Sequence, residues 1–270
     1  MKKDYMPVSG VLKESNEKVF LEEYWTKAWE KTGIDAFAEN YIKKSDEYRI
    51  MLPYIKKLKP GSRLLDGGCG LGRWTIFFSL LGYDAVGLDI SKETIKKLKE
   101  KFPAQNFIAG DITNTNFQDE YFDAYFSWGT FEHFERGLTE CFQEAGRILR
   151  KNGYLFITVP YNNLRHIRRD QGKLKNWDDS FDNINGYKDK MRFYQWRLSK
   201  PELIREFEIN GFKCLEVVPV HKFNGLSRAV NHDLHVKYGS KQHAILTRLL
   251  YPFYSKDYVS HMLMGIGMKK

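Results

Sequence analysis

Asp66, Gly68, Gly70 and Gly72 stand at every second position in LLDGGCGLGRWT (64–75), directly after an apolar run. A turn this rich in glycine tolerates positive φ and lets a ligand lie against bare main chain. The carboxylate just ahead of it suits a cationic group, where a pyrophosphate would need donors. Two more acids end apolar runs: Asp89 in GLDIS and Asp111 in AGDI. Asp89 is placed to accept from both hydroxyls of a ribose, and Asp111 to accept from an exocyclic amine. No Walker lysine accompanies the glycines. The set points to a nucleoside without phosphates, although dinucleotide enzymes use a related loop and the glycine spacing alone does not name the ligand.

Such groups need a scaffold that brings distant chain segments together. Short apolar runs at 63–68, 84–91, 105–112, 122–129 and 153–160 alternate with helical patterns at 73–82, 92–102 and 137–150. That alternation predicts an α/β fold with a parallel sheet covered on both faces by helices. Ligands of such sheets bind beyond the carboxyl ends of the strands, and the glycine stretch falls at the end of the first. Ahead of it, Phe20, Tyr24 and Trp25 recur at helical spacing in 17–31, and a second helix is expected over about 45–58.

In order and spacing, LLDGGCGLGRWT, GLDIS, AGDI, FDAYFSWGTFEHF and ILRKNGYLFITVP resemble the successive motifs of class I S-adenosylmethionine-dependent methyltransferases, of the small-molecule group with a GxGxG…EH pattern. The resemblance covers about 60–160. It resumes at 193–219, similar to the group's sixth strand and preceding helix, and at 261–270, similar to its closing strand. It implies a Rossmann-like, doubly wound, seven-stranded and mostly parallel sheet with an antiparallel last strand, and S-adenosyl-L-methionine as cofactor. On this pattern Asp66 would meet the methionine ammonium, with Gly68, Cys69, Gly70 and Gly72 in the loop around the methionine moiety. Asp89 would hold the ribose, with Ile90 on an adenine face. Asp111 would read the adenine amine beside Ile112, and Trp128 would border the methionine end. Gly67 departs from the pattern, where the family has a larger apolar residue.

The resemblance also places FEHF (131–134) near the transferred methyl, making His133 a candidate base or substrate orienter; packing of the following helix is the alternative role. Tyr161, after the fifth strand, is a second candidate facing the acceptor. Gly129 stands where metal-dependent relatives carry an acid, so no metal is expected. Residues 1–58 are read as a helical cap and 59–270 as the methyltransferase domain, with insertions at 161–192 and 221–258. The first insertion clusters Arg165, His166, Arg168 and Arg169, suited to a phosphate or carboxylate on the acceptor. Pairing with Asp178, Asp179 and Asp182 is the competing use of these arginines. The second holds HAILTRLLYPFYSKDY (243–258), too apolar for a wholly exposed helix. Ordinary packing against the core accounts for it, and a dimer surface, a lipid-facing patch or part of the acceptor pocket are its alternative uses.

The net charge of +9 arises entirely after residue 160, where 20 Lys+Arg face 11 Asp+Glu. An anionic partner follows from such asymmetry as readily as a solvated basic face does. The expected activity is methyl transfer, at oxygen, to a small or sugar-like and anionic acceptor. An RNA methyltransferase, supported by charge alone, and a nucleoside-binding regulator without turnover are the alternatives. Three scattered cysteines with no CxxC pair, and no run near the roughly 20 apolar residues of a membrane span, lead to an expected cytoplasmic location.

Overall fold

The protein is described by a computed structural model covering residues 1–7, 15–33, 39–173, 187–188 and 191–270. In chain order its elements are β1 (Lys2–Pro7), α1 (Glu17–Thr32), α2 (Glu39–Lys44), α3 (Asp46–Ile55), β2 (Arg63–Gly67), α4 (Arg73–Leu80), β3 (Asp84–Asp89), α5 (Lys92–Lys101) and β4 (Asn106–Ala109). There follow β5 (Phe122–Trp128), α6 (Thr139–Ile148), β6 (Leu149–Pro160), α7 (Leu164–Lys173), β7 (Tyr187–Lys188), β8 (Met191–Arg197), α8 (Lys200–Ile209) and β9 (Phe212–Val220). The chain closes with α9 (Lys222–Leu234), α10 (Lys241–Leu250), α11 (Lys256–Val259) and β10 (Met262–Lys269).

Seven strands form the main sheet in the order β4-β3-β2-β5-β6-β10-β9. Strands β2 to β6 run parallel, and β10 is inserted antiparallel between β6 and β9. The expected doubly wound sheet with its antiparallel last strand is the fold observed. Side chains leave alternate faces of each strand, and the core divides accordingly. Leu64, Ala85, Ala124, Phe126 and Phe156 meet Phe77 and Phe78 of α4 and Met51 and Ile55 of α3. On the opposite face Leu65, Val86, Tyr125, Leu155 and Ile157 pack with Phe142 of α6 and Phe207 of α8. Burying each such phenylalanine contributes about 1.5–3 kcal/mol.

Two features depart from the expectation. The N-terminal segment is not helical throughout. Strand β1 pairs antiparallel with β8 in a separate three-stranded sheet, from Lys2 opposite Arg197 to Pro7 opposite Met191. The Arg197 guanidinium, 7% exposed, holds both Asp4 oxygens at 2.9 Å and fastens that pairing. Strand β6 also begins earlier than expected, at Leu149, because β5 is paired from Phe122 and continues the sheet backwards.

Candidate active site

At the carboxyl ends of β2, β3 and β4 lies a cavity of about 300 Å³. Asp66, Gly68, Cys69, Gly70, Asp89, Ile90, Asp111, Ile112 and Trp128 all line it. Nine of the ten residues assigned to the cofactor from sequence thus share one concavity. Gly72 does not line it; that residue caps the start of α4 and packs on Phe107.

The glycine turn is explained first by its own backbone. Gly68 and Gly70 have φ of +78° and +50°, where an L side chain is strained. A Cβ on Gly70 would also lie 2.7 Å from the Trp29 ring, and one on Gly68 would run into Thr130. The immediate reason for these glycines is therefore the protein's own side chains pressing on the loop. Gly67, the departure from the family pattern, makes room for the Tyr125 ring below it.

The loop amides are already engaged. Gly68 and Cys69 donate to the Leu88 carbonyl at 2.7 and 2.9 Å. Gly70 donates to Asp89 Oδ2 at 2.8 Å, and Ser91 donates to Asp89 Oδ1 at 2.9 Å. Asp89 therefore locks the glycine turn to the end of β3 while each carboxylate oxygen keeps lone pairs for a ligand. Asp66 Oδ2 accepts from the Thr75 amide and hydroxyl at 3.1 and 2.8 Å, across the start of α4. Burial pushes the Asp66 carboxyl up to about 7, against these two bonds. Burial also raises Asp89. Asp111 Oδ1 accepts from the Thr113 amide and hydroxyl, and its Oδ2 is ion-paired with Lys18 at 2.7 Å.

The roof of the cavity is α1, together with Tyr41 of α2. Along α1, Leu21, Trp25 and Trp29 turn one stripe onto the strand ends. The Trp25 and Trp29 rings stack at 5.2 Å, and Thr26 bridges to Ser91 at 2.6 Å. Sequence reasoning noticed Trp25 as part of an amphipathic helix but assigned none of Lys18, Leu21, Trp25, Trp29, Tyr41, Trp74 or Thr75 to the site. The available signal was the Leu21-Trp25-Trp29 spacing of four. The indole nitrogens of Trp29 and Trp128 are buried without a hydrogen-bond partner, as donors awaiting a ligand would be.

His133 also lines the cavity, from a 3-10 turn (Phe131–His133) after β5. Its Nδ1 lies 2.7 Å from the Tyr194 carbonyl oxygen, and its ring is 5.0 Å from those of Trp25 and Tyr194. Burial lowers its pKa to about 4, so the ring is neutral at physiological pH. With Nδ1–H donated to Tyr194, Nε2 carries the ring's lone pair, and the Gly129 backbone also lies against the ring. Glu132 Oε1 is 3.9 Å from that nitrogen, and burial pushes the Glu132 carboxyl up to about 8.

The other sequence candidates are placed elsewhere. The Tyr161 hydroxyl donates to Asp257 at 3.2 Å, and burial beside that carboxylate raises it to about 12. Arg165, 6% exposed, makes a two-pronged bond to Asp233 of α9 at 2.5 and 2.7 Å. Arg168 lies over the Tyr258 ring at 5.3 Å, Arg169 is 3.8 Å from Asp170, and His166 Nδ1 is 3.0 Å from the Tyr161 carbonyl. None of these five lines the cavity. Asp178, Asp179 and Asp182, the expected partners of the arginines, lie outside the described residues. Arg165 instead ties α7 to α9.

Residues 65–157 match the family model described as a methyltransferase domain. A malonyl-[acyl-carrier protein] O-methyltransferase of Hamiltonella defensa is 32% identical over 114 residues, 42% of this chain and 44% of its own length. An eEF1A lysine and N-terminal methyltransferase of Mus musculus is 29% identical over 164 residues, 56% of this chain and 23% of its own length. The chain thus spans less than half of these curated relatives. The solved geranyl diphosphate C-methyltransferase of Streptomyces coelicolor, with S-adenosyl-L-homocysteine bound, superposes with a TM-score of 0.60 at 11% identity, covering 96% of this chain and 99% of its own. At that identity the likeness is one of fold. Taken together, residues 65–157 form a methyltransferase domain, and the sheet with its cavity at the strand ends has the fold of S-adenosylmethionine-dependent methyltransferases.

Proposed function

We propose that this protein transfers the methyl group of S-adenosylmethionine to a hydroxyl of a small, ring-shaped, sugar-like acceptor. The observation that carries this reading is the placement of Asp66, Asp89 and Asp111 on three neighbouring strand ends around one cavity that neutral His133 also lines. When bound, the cofactor supplies a methyl group already activated on a sulfonium. Asp89 would accept from the ribose hydroxyls, Ile90 and Ile112 would flank the adenine, and Asp66 would receive the ammonium. Asp111 would accept the adenine amine beside Lys18. Gly68, Cys69 and Gly70 would line the methionine portion with backbone, and Trp128 would border it.

Transfer at a sulfonium depends on placement, and aligning the reacting atoms contributes on the order of 7–11 kcal/mol. His133 Nε2 takes the acceptor proton, and its Nδ1–H bond to Tyr194 fixes the ring for that task. Trp25, Trp29, Tyr41 and Trp74 give the acceptor flat apolar walls. Arg165, His166, Arg168 and Arg169 have no part at this cavity, so an acceptor anion, where there is one, would meet Arg73 on the cavity wall. The relatives' names give a malonyl-[acyl-carrier protein] and eEF1A as their acceptors, so the matched domain serves more than one substrate class among them.

The test is incubation with methyl-labelled S-adenosylmethionine and fractionated cell extract, with mass spectrometry of what gains label. Label in a low-mass hydroxylated compound, lost roughly 100- to 10,000-fold in His133→Ala with S-adenosylhomocysteine affinity unchanged, is the expected result. Label confined to RNA or protein, or full turnover by His133→Ala, would overturn it.

A further inference from the structure

The 221–258 insertion turns an apolar face outward that its own core does not use. Its packing is set by Leu226, Ala229, Val230 and Val259, and by Gly225, whose bare backbone sits against the Val259 carbonyl. Outside that small core, Ile245, Leu249 and Phe253 are 57%, 62% and 82% exposed. The spacing of four puts Ile245 and Leu249 on one stripe of α10, and Phe253 follows in the turn that ends it. Lys241, four residues before Ile245, begins the same stripe, and Arg248 stands beside it.

Charge on this segment is predominantly positive. It carries Lys222, Arg228, Lys237, Lys241, Arg248 and Lys256 against two acids. Both acids are turned to other partners: Asp233 is held by Arg165, and Asp257 by Lys200 at 2.6 Å. The outer face is thus apolar side chains set among uncompensated cations. Among the described residues no helix is long and apolar enough to cross a membrane, and α10 has the pattern of a helix that lies on one.

We infer that the α9–α10 hairpin docks the protein onto an anionic phospholipid surface. Ile245, Leu249 and Phe253 enter the boundary between headgroups and acyl chains, and Lys241, Arg248 and Lys256 meet the lipid phosphates. A symmetric contact between two copies through this face would oppose cation to cation, which disfavours the homodimer use of the same patch. The inference is independent of the acceptor, because none of these residues lines the cavity.

Flotation of the full chain with vesicles of phosphatidylcholine, with and without about one-third phosphatidylglycerol, tests it. The expected result is binding to the anionic vesicles that 0.5 M salt weakens severalfold. Leu249→Asp/Phe253→Asp should weaken it at least tenfold, at unchanged Tm and methyl transfer. Should that variant unfold, Lys241→Ser/Arg248→Ser serves instead, with a severalfold loss expected on anionic vesicles. Absence of flotation on anionic vesicles, equal binding to neutral ones, or light scattering showing a dimer that Leu249→Asp/Phe253→Asp splits, would each overturn the inference.

Discussion

Affinity for S-adenosylhomocysteine should depend on pH through Asp66. Burial brings its carboxyl to about 7, so in the free protein the acid is mostly protonated at pH 6. The ammonium of the ligand needs the ionised form. The dissociation constant should therefore rise about tenfold for each pH unit below 7 and level off above about 7.5. Asp66→Asn keeps one acceptor for Thr75 but removes the charge facing the ammonium. A charge-assisted bond contributes about 1.5–3 kcal/mol, so the variant should bind roughly 10- to 150-fold more weakly at pH 8. Its affinity should also lose the dependence between pH 5.5 and 7. Isothermal titration calorimetry at half-unit steps, repeated in two buffers of different ionisation enthalpy, reads both quantities and should detect about one proton released on binding at pH 6. A flat profile in the unaltered protein, or the same slope in Asp66→Asn, would refute the assignment of Asp66 to the ammonium.

Further outcomes follow from the same geometry. Lys18→Met removes an exposed partner from Asp111; calorimetry should show S-adenosylhomocysteine binding tightened about two- to fivefold, with less than about 1 kcal/mol lost in denaturant stability. Gly70→Ala combines a left-handed φ with a collision against Trp29, and should cost about 2–4 kcal/mol by urea unfolding. Part of that cost should return in Gly70→Ala/Trp29→Ala, measured as a double-mutant cycle. Arg165→Ala should lower stability by about 1–3 kcal/mol and leave the acceptor KM unchanged. Asp233→Ala should cost more, because it strands a buried guanidinium. Glu132 is protonated in the folded protein up to about pH 8 and ionised in the unfolded chain above about 4.5, so its contribution to stability falls as pH rises between those values. Glu132→Gln should accordingly raise Tm by several degrees at pH 8.5 and by little at pH 5, read by calorimetric scans.

Much of the sheet was legible in the chain because its signals are local. Each parallel strand is a short apolar run, each connection carries a helix, and Asp66, Asp89 and Asp111 end consecutive runs, so the switch-point rule alone gathers them in one cavity. What the sequence hid depends on partners far along the chain. Lys18 meets Asp111 across 93 positions, and nothing near either residue announces the pair. Trp29 crowds Gly70, so the glycine that suggested ligand contact is first required by a neighbouring indole. The Arg165 cluster reads as an anion site while its sequence neighbours alone are considered; Asp233, 68 residues away, shows the guanidinium to be a tie between α7 and α9. Likewise β1 and β8 bring together segments about 190 residues apart through a sheet whose short strands carry no apolar alternation long enough to read.

A crystal structure of the protein grown with S-adenosylhomocysteine would examine the cofactor assignment most directly. The ribose hydroxyls should lie within hydrogen-bond distance of the Asp89 oxygens, with the adenine between Ile90 and Ile112 and the homocysteine along Gly68 to Gly70 beneath Trp29. Ligand found with its sugar away from Asp89, or outside the cavity roofed by α1, would contradict it.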